Sequence, residues 1–395
     1  MSRLDDMIQE LCPDGVEYRN LEDCCIILDS KRKPITKAKR VAGDFPYYGA
    51  NGVQDYVNDY LFEGKFVLVG EDGSVLTLSG KPVVNWAEGK IWVNNHAHII
   101  SEKEGINLRY LFYYLQTVNI TDLVHGNIPK LTGKDFKAIK TPIPPLEVQQ
   151  EIVRLLDDFT AKTAELQAEL NKEYEARKKQ YEYYKEVLLY NNENVDKVKI
   201  KDIVCKTNKI KWNQTKNTYQ YIDLSSVDRE THTLLNTSII DGNNAPSRAQ
   251  QIVRIDDVLF GTTRPMLKRI CVIPDEYDGQ ICSTGFCVLR AIDSIVQPKW
   301  IYHVLNTAQF YSYVESHQQG TSYPSISDSL VKEYEITLPS LDEQIRIINI
   351  LDNLEETNFE LNNNLSLELE SRQKQYEFYR DKLLTFKELN ESEVN

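Results

Sequence analysis

A chain of 395 residues exceeds one ordinary domain, and 41% apolar with 10% aromatic residues provides cores for two or more, which excludes disorder as its default state. The net charge of −13 excludes a uniformly basic nucleic-acid binder, yet the excess acid is local: −5 over 146–196 and −7 over 341–395, against −2 over 1–145 and +1 over 197–340, leaving the last two free to carry basic surfaces. The first ten residues, MSRLDDMIQE, lack the basic flank and apolar run of a signal peptide, no apolar stretch reaches membrane-spanning length, and seven cysteines without a CxxC pair argue against a disulfide framework or zinc ribbon, so a cytoplasmic chain with reduced thiols is expected.

In chain order, the first candidate is the loop KRKPITKAKR at 31–40, where Lys31, Arg32, Lys33, Lys37, Lys39 and Arg40 occur with no acid between them. Such side chains neutralise phosphates, and Arg or Lys can hydrogen-bond guanine in the major groove, so this loop is the strongest candidate for DNA contact. Strand patterns follow at KFVLVGEDGSVLTLSG (65–80) and KIWVNNHAHII (90–100), then a helix at NLRYLFYYLQT (107–117) with leucines and aromatics at helical spacing. His96 and His98 alternate on one expected strand face and read as a structural pair, and the acids of GEDG at 70–73 suit a turn. Glu63 and Lys65, with Asp44 or Asp55, form a nuclease-like fragment too common to carry weight. GNIPKLTGKD lacks phosphate-loop spacing, and the chain has no methyl-donor glycine loop and no Asn-Pro-Pro-aromatic or Asp-Pro-Pro-aromatic tetrapeptide. No catalytic residue, resident cofactor or metal is therefore expected.

From 143 onward the sequence repeats itself. IPPLEVQQEIVRLLDDF at 143–159 matches LPSLDEQIRIINILDNL at 338–354, and RKKQYEYYKEVLL at 177–189 matches RQKQYEFYRDKLL at 372–384, both at an offset of 195 residues. A match free of insertions implies one continuous helix in each copy, starting just after its proline. Apolar steps of three and four (Ile152, Leu156, Phe159, Leu166, Leu170, Tyr181, Tyr184, Leu188, and Ile347, Leu351, Leu354, Leu361, Leu365, Tyr376, Tyr379, Leu383) describe a narrow seam, with Arg177 and Arg372 at equivalent points. Mutual pairing of the two helices is preferred to separate packing on their own domains.

The segment between the helices carries Lys206, Lys209, Lys211 and Lys216, strand patterns at 256–267 and 281–291 with Arg264, Lys268 and Arg269 after the first strand, and a helix at QPKWIYHVLNT (297–307). The chain thus reads as unit, helix, unit, helix: 1–142, 143–196, 197–337 and 338–395. The expected fold class is α+β, with two mixed α/β domains joined by two long antiparallel helices in a coiled coil.

PPLEVQQEIVRLLD and PSLDEQIRIINILD, each followed by the RKKQY or RQKQY block, resemble the two central conserved regions of the specificity subunits of type I restriction-modification systems. YYGANGVQDYVNDYLFEGKFVLVGEDG at 47–73 and NNHAHII at 94–100 resemble that family's recognition-domain elements. The resemblance implies two target-recognition domains reading the halves of a bipartite, gapped DNA sequence. It implies spacer helices that dock two modification subunits, here through Arg177, Tyr181, Tyr184, Arg372, Tyr376 and Tyr379, and two restriction subunits that complete the nuclease. S-adenosylmethionine, ATP and Mg would be used by those partners. It also raises the turn-rich loops GNIPKL (126–131) and GTSYPSIS (320–327), bringing Asn127, Lys130, Ser322, Tyr323 and Ser325 forward as DNA contacts. A recognition subunit of another modification or phage-defence complex and a coiled-coil scaffold without DNA binding are the alternatives.

Overall fold

The computed structural model describes residues 3–190 and 195–389, so the ends of the expected segments at 1–2, 191–194 and 390–395 lie outside the described residues. The fold is α+β and divides into two compact units, Met1–Glu169 with Ser366–Asn395, and Leu170–Leu365.

Unit 1 opens with α1 (Arg3–Leu11), β1 (Glu17–Asn20) and the short α2 (Leu21–Cys24). Its main sheet comprises β2 (Ile26–Ile27), β3 (Ala42–Gly49), β4 (Gly52–Val57), β5 (Phe62–Gly70), β6 (Val84–Val93) and β7 (Ala97–Ser101), in the spatial order β2-β7-β5-β6-β3-β4. The central strand β5 is buried from Phe66 to Gly70 because both its faces are covered. Val67 and Val69 pack with Leu111 and Leu115 of α3 (Leu108–Leu115), while Phe66 and Leu68 join Ile91 and Ile99 in a second cluster. The Asn107 side chain caps α3 by accepting from the amides of Arg109 and Tyr110. A hairpin, β8 (Val124–His125) and β9 (Lys130–Leu131), then α4 (Gly133–Lys137) and β10 (Lys140–Ile143) complete the unit, with β10 antiparallel to β1.

Unit 2 repeats this plan with smaller sheets. After β11 (Lys197–Lys199) and α6 (Ile200–Ile203) come β12 (Val204–Cys205), β13 (Tyr219–Ile222), β14 (Ser238–Ile240), β15 (Ala249–Ile252), β16 (Val258–Gly261), β17 (Ile270–Val272), β18 (Ile281–Ser283) and β19 (Phe286–Ala291). They form two four-stranded sheets, β12-β19-β16-β17 and β14-β13-β18-β15. Three helices, α7 (Pro298–Leu305), α8 (Ala308–His317) and α9 (Asp328–Glu333), lead to β20 (Glu335–Thr337), which pairs antiparallel with β11.

Two long helices, α5 (Leu146–Tyr190) and α10 (Leu341–Leu383), follow the prolines as the repeat predicts. Within unit 1 the first half of α5 packs with the last part of α10 and the turn that follows it: Ile152, Leu156 and Leu384, the residue after α10, share one core, and Phe159 meets Tyr376 at 5.5 Å between ring centres. Within unit 2, Tyr181 and Leu189 of α5 share a core with Ile347, Ile348 and Leu351 of α10. The repeated residues outside the seam tie each helix to its unit. Gln149 Nε2 donates to the Pro144 carbonyl (2.8 Å) and its Oε1 accepts from the Asn107 amide (2.9 Å), while Gln344 Nε2 donates to the Pro339 carbonyl (2.8 Å) and its Oε1 accepts from the Gln297 amide (2.8 Å). Two turns on, Asp157 accepts from Arg109 Nε (3.0 Å) and from Tyr113 Oη, and Asp352 pairs with Lys299 Nζ (2.5 Å) and His303 Nε2 (2.9 Å).

The seam departs from expectation at one point. Tyr184 and Tyr379 are exposed, because the inward stripe steps by four from Tyr181 to Lys185 and Leu189, all buried, and from the partly buried Tyr376 to the buried Arg380 and Leu384. Lys185 Nζ pairs with Glu182 (3.1 Å) and lies 4.7 Å from the Tyr181 ring centre, and the Arg380 guanidinium pairs with Asp381 (2.8 Å) and lies 5.6 Å from the Tyr376 ring centre, so each buried cation has a carboxylate and an aromatic neighbour. Arg177 and Arg372 pair within their own helices with Glu173 (3.4 Å) and Glu368 (2.8 Å). His96 precedes β7 in a turn instead of sharing a strand face with His98. Six of the seven free cysteines are buried, Cys205 being exposed, and no helix among the described residues is long and apolar enough to cross a membrane.

Candidate nucleic-acid interface

The loops of interest sit on a backbone clasp that both units build in the same way. In unit 1 the Leu131 amide donates to the Glu71 carbonyl (2.8 Å), the Gly73 amide donates to the Pro129 carbonyl (3.0 Å), and Asp72 bridges Lys130. In unit 2 the Ile326 amide donates to the Thr262 carbonyl (3.0 Å), the Arg264 amide donates to the Pro324 carbonyl (2.7 Å), and Thr263 bridges Ser325. Each unit therefore pins its turn-rich loop, 126–131 or 320–327, against the segment that follows a central strand. The backbone is shared, and the side chains it displays are different.

In unit 1 the clasp carries a charge network that is closed on itself. Arg32 Nη1 bonds Glu71 Oε2 (2.6 Å) and the Ala97 carbonyl (2.6 Å), and Lys130 Nζ meets Glu71 Oε1 (3.2 Å). The buried His98 pairs with Asp29 through Nδ1 (2.6 Å), meets the Leu131 carbonyl through Nε2 (3.0 Å) and stacks on Phe136, while His96 pairs with Asp72. Burial pushes the Asp29 carboxyl up, but the His98 hydrogen bond, the Ile99 amide and the Arg32 charge more than reverse this and leave it below the ordinary value. Asp29, Glu71 and His98 are close enough to form a cation site, as are His303, Asp352 and Glu355. In both places Arg or Lys side chains already supply the positive charge, Arg32 and Lys130 in the first and Lys299 in the second.

The loop 31–40 is accordingly split. Arg40 Nη1 pairs with Asp55 (3.1 Å), Nε donates to the Ile35 carbonyl (3.1 Å), and its guanidinium lies over Tyr47. Arg32 and Arg40 thus hold the loop in place, whereas Lys31, Lys33, Lys37 and Lys39 are exposed and form no ion pair among the described residues. Asn127 is exposed at the hairpin tip beside Ile128, itself 70% exposed.

Unit 2 has the opposite electrostatic character. Leu224, Arg248, Thr263, Arg264, Arg269, Tyr323 and Ser325 line an open concavity of about 470 Å³. The Arg264 guanidinium lies 4.3 Å from the centre of the exposed Tyr323 ring. Arg264 and Lys268 both adopt the left-handed backbone (φ 49° and 53°) on either side of Pro265-Met266-Leu267, at a cost of about 1–2 kcal/mol each. Burial and the neighbouring charges of Arg229 and Arg264 hold the Arg269 guanidinium below its ordinary value, and its buried Nε has no hydrogen-bond partner. Lys268 Nζ lies 5.0 Å from the Tyr311 ring centre, and Ser322 is exposed next to Tyr323. Lys206, Lys209, Lys211 and Lys216 are exposed along the segment 206–216, outside this concavity. The fold therefore brings Arg264, Arg269, Tyr323 and Ser325 together as one site and adds Arg248, with the charge of Arg229 felt at Arg269. Arg229 and Arg248 are single arginines in DRE and SRA contexts, which no local sequence signal distinguishes.

The family model for the type I restriction modification DNA specificity domain matches residues 13–176 and 192–371, one copy for each half of the repeat. A Haemophilus influenzae protein designated as type I restriction enzyme specificity subunit S.HindORF215P is 33% identical over 382 residues, covering 94% of this chain and 96% of its own. The EcoR124I/EcoR124II specificity subunit of Escherichia coli is 29% identical over 296 residues, 71% of each chain. The solved HsdS subunit from Thermoanaerobacter tengcongensis is 34% identical over 43% of this chain and 44% of its own, with a TM-score of 0.40. The chain therefore belongs to the type I restriction-modification DNA specificity family and is a specificity subunit, the non-catalytic member of such a system that recognises the DNA target.

Proposed function

We propose that the two units read the two halves of a bipartite, gapped DNA target, residues 1–142 contacting one half and 197–337 the other. Residues 143–196 and 338–395 then act as spacer and as partner docking surface. The carrying observation is the repeated clasp: one backbone arrangement, presented twice, with unrelated side chains on it. A recognition scaffold is expected to hold geometry constant and vary the displayed groups, since base edges are read by a few loop side chains while phosphate contacts set register. In unit 1 the displayed groups are Lys31, Lys33, Lys37, Lys39 and Asn127. In unit 2 they are Arg264, Lys268, Tyr323 and Ser325, with Lys206, Lys209 and Lys211 on the flank. Two modification and two restriction subunits bind the chain in the cytoplasm and bring S-adenosylmethionine, ATP and Mg, the modification subunits methylating adenine. The exposed pairs Tyr183–Tyr184 and Phe378–Tyr379 occupy equivalent points on α5 and α10 and suit such docking.

The test is exchange of residues 1–142, or of 197–337, for the equivalent part of a relative, followed by methylome sequencing of the host. One half of the methylated sequence is expected to change while the other stays. A simultaneous change in both halves overturns the two-headed reading.

A further inference from the structure

We infer that the arginine concavity of unit 2 is a built phosphate site, taking a DNA backbone phosphodiester between Arg248, Arg264 and Arg269, and that unit 1 has no equivalent because its clasp is internally neutralised. This rests on the DNA-recognition reading and adds the chemistry of one subsite and an inequality between the two heads.

The first observation is charge without an ion-paired partner. Arg248, Arg264 and Arg269 line one concavity, the charge of Arg229 reaches Arg269 from outside its lining, and none of the four forms an ion pair among the described residues. The carboxylate of Asp223 pulls on Arg269 from beyond ion-pair distance, and its Oδ1 is already engaged by the amides of Ser225 and Ser226 and the Ser225 hydroxyl. Like charges gathered with no carboxylate in ion-pair contact are costly, and an anion seated among them relieves that cost.

The second observation is geometric. Arg269 Nε is buried and without an acceptor, although buried donors are nearly always satisfied. Arg264 is fixed by its left-handed backbone, by the Pro324 carbonyl on its amide, and by Tyr323 under its guanidinium, so its charge is oriented before any ligand arrives. A base edge would supply acceptors but no negative charge. The unpaired charge of several arginines therefore favours a phosphate over a guanine.

The third observation is the contrast at the same clasp. Where unit 2 has Thr262 and Thr263, unit 1 has Glu71 and Asp72, which take Arg32, Lys130 and His96. The first unit's cations at this position are spent on its own acids, and its phosphate contacts fall to the exposed lysines of 31–39.

The test uses the full chain in complex with its modification subunits, measuring affinity for target DNA across a salt series. Arg248→Gln and Arg264→Gln are each expected to reduce the slope of log affinity against log salt by about 1, and Arg248→Lys and Arg264→Lys to restore most of it. Both arginines are exposed, and a melting temperature equal to the parent's is the folding control. Lys130→Gln in unit 1 is expected to leave the slope unchanged. An unchanged slope in the unit 2 glutamine variants overturns the inference. So does an unchanged slope with relaxed methylation at one half-site, which would make this a base-reading site. If the parent complex itself lacks salt-sensitive binding, the DNA-recognition reading fails instead, and the two failures are distinct.

Discussion

Gln344 and Gln149 are the residues that lock α10 and α5 to their units, and replacing each by methionine tests that role without opening a cavity, since the volumes are close. Gln344→Met removes three hydrogen bonds, to the Pro339 and Ile295 carbonyls and from the Gln297 amide, at a site fully shielded from solvent. At about 1 kcal/mol per lost bond the net cost is roughly 3 kcal/mol, rising toward about 5 kcal/mol where the abandoned groups stay dry. Gln149→Met removes two bonds, to the Pro144 carbonyl and from the Asn107 amide, for roughly 2 kcal/mol. Hydrogen exchange followed by mass spectrometry separates the two units. Gln344→Met is expected to raise exchange at amides such as Gln297 and Leu338 by about a hundredfold, with Asn107 and its neighbours unchanged, and Gln149→Met to do the reverse with a smaller factor. Trp300, whose indole donates to the Thr337 carbonyl (3.0 Å), gives a fluorescence readout for unit 2. Loss of protection under threefold, or equal loss in both units for either variant, would refute the assignment of these glutamines as local anchors.

Replacing Lys31, Lys33, Lys37 and Lys39 together by glutamine is expected to weaken DNA binding and flatten its salt dependence at an unchanged melting temperature, whereas Arg32→Gln destabilises unit 1 by about 1–3 kcal/mol because Glu71 and the Ala97 carbonyl lose a partner; a salt series and a thermal melt separate the two. For Asp352, burial pushes the carboxyl up, but hydrogen bonds from His303 and Lys299 more than offset it and leave it below 3.8. A depressed carboxyl contributes stability that is present above that unfolded value and lost as pH falls through the lower folded one, so urea unfolding between pH 5 and about 2 should show a steeper acid loss in the parent than in Asp352→Asn. Converting Tyr184 and Tyr379 to glutamate is expected to impair co-purification of modification subunits without changing the melting temperature, since both side chains are exposed.

The sequence by itself determined the large-scale plan. The offset of 195 residues between two insertion-free blocks specified α5 and α10, because a continuous hydrogen-bonded helix tolerates no insertion, and Pro144 and Pro339 marked where each begins. The helices near 107–117 and 297–307 were equally legible, since leucines and aromatics at helical spacing encode their buried faces locally. The seam was legible only in part: period alone does not tell Tyr184 from Lys185, because the long stem of a lysine can bury as well as a ring when a carboxylate, here Glu182, and an aromatic meet its charge.

What only tertiary structure decided is which cations are free. In the sequence, Lys31, Arg32, Lys33, Lys37, Lys39 and Arg40 form one basic run, yet Glu71, 39 residues from Arg32, and Asp55, 15 residues from Arg40, neutralise the two arginines and leave the lysines exposed. Conversely, Arg264 and Arg269 are neighbours in one short stretch, but Arg248 belongs to no basic run and joins them only because a separate loop of unit 2 converges on the concavity beside the pinned loop 320–327. Charge neutralisation acts through space at a few ångströms, and the partners that decide it are distant in sequence, so composition and spacing can name the candidates while the fold alone selects among them.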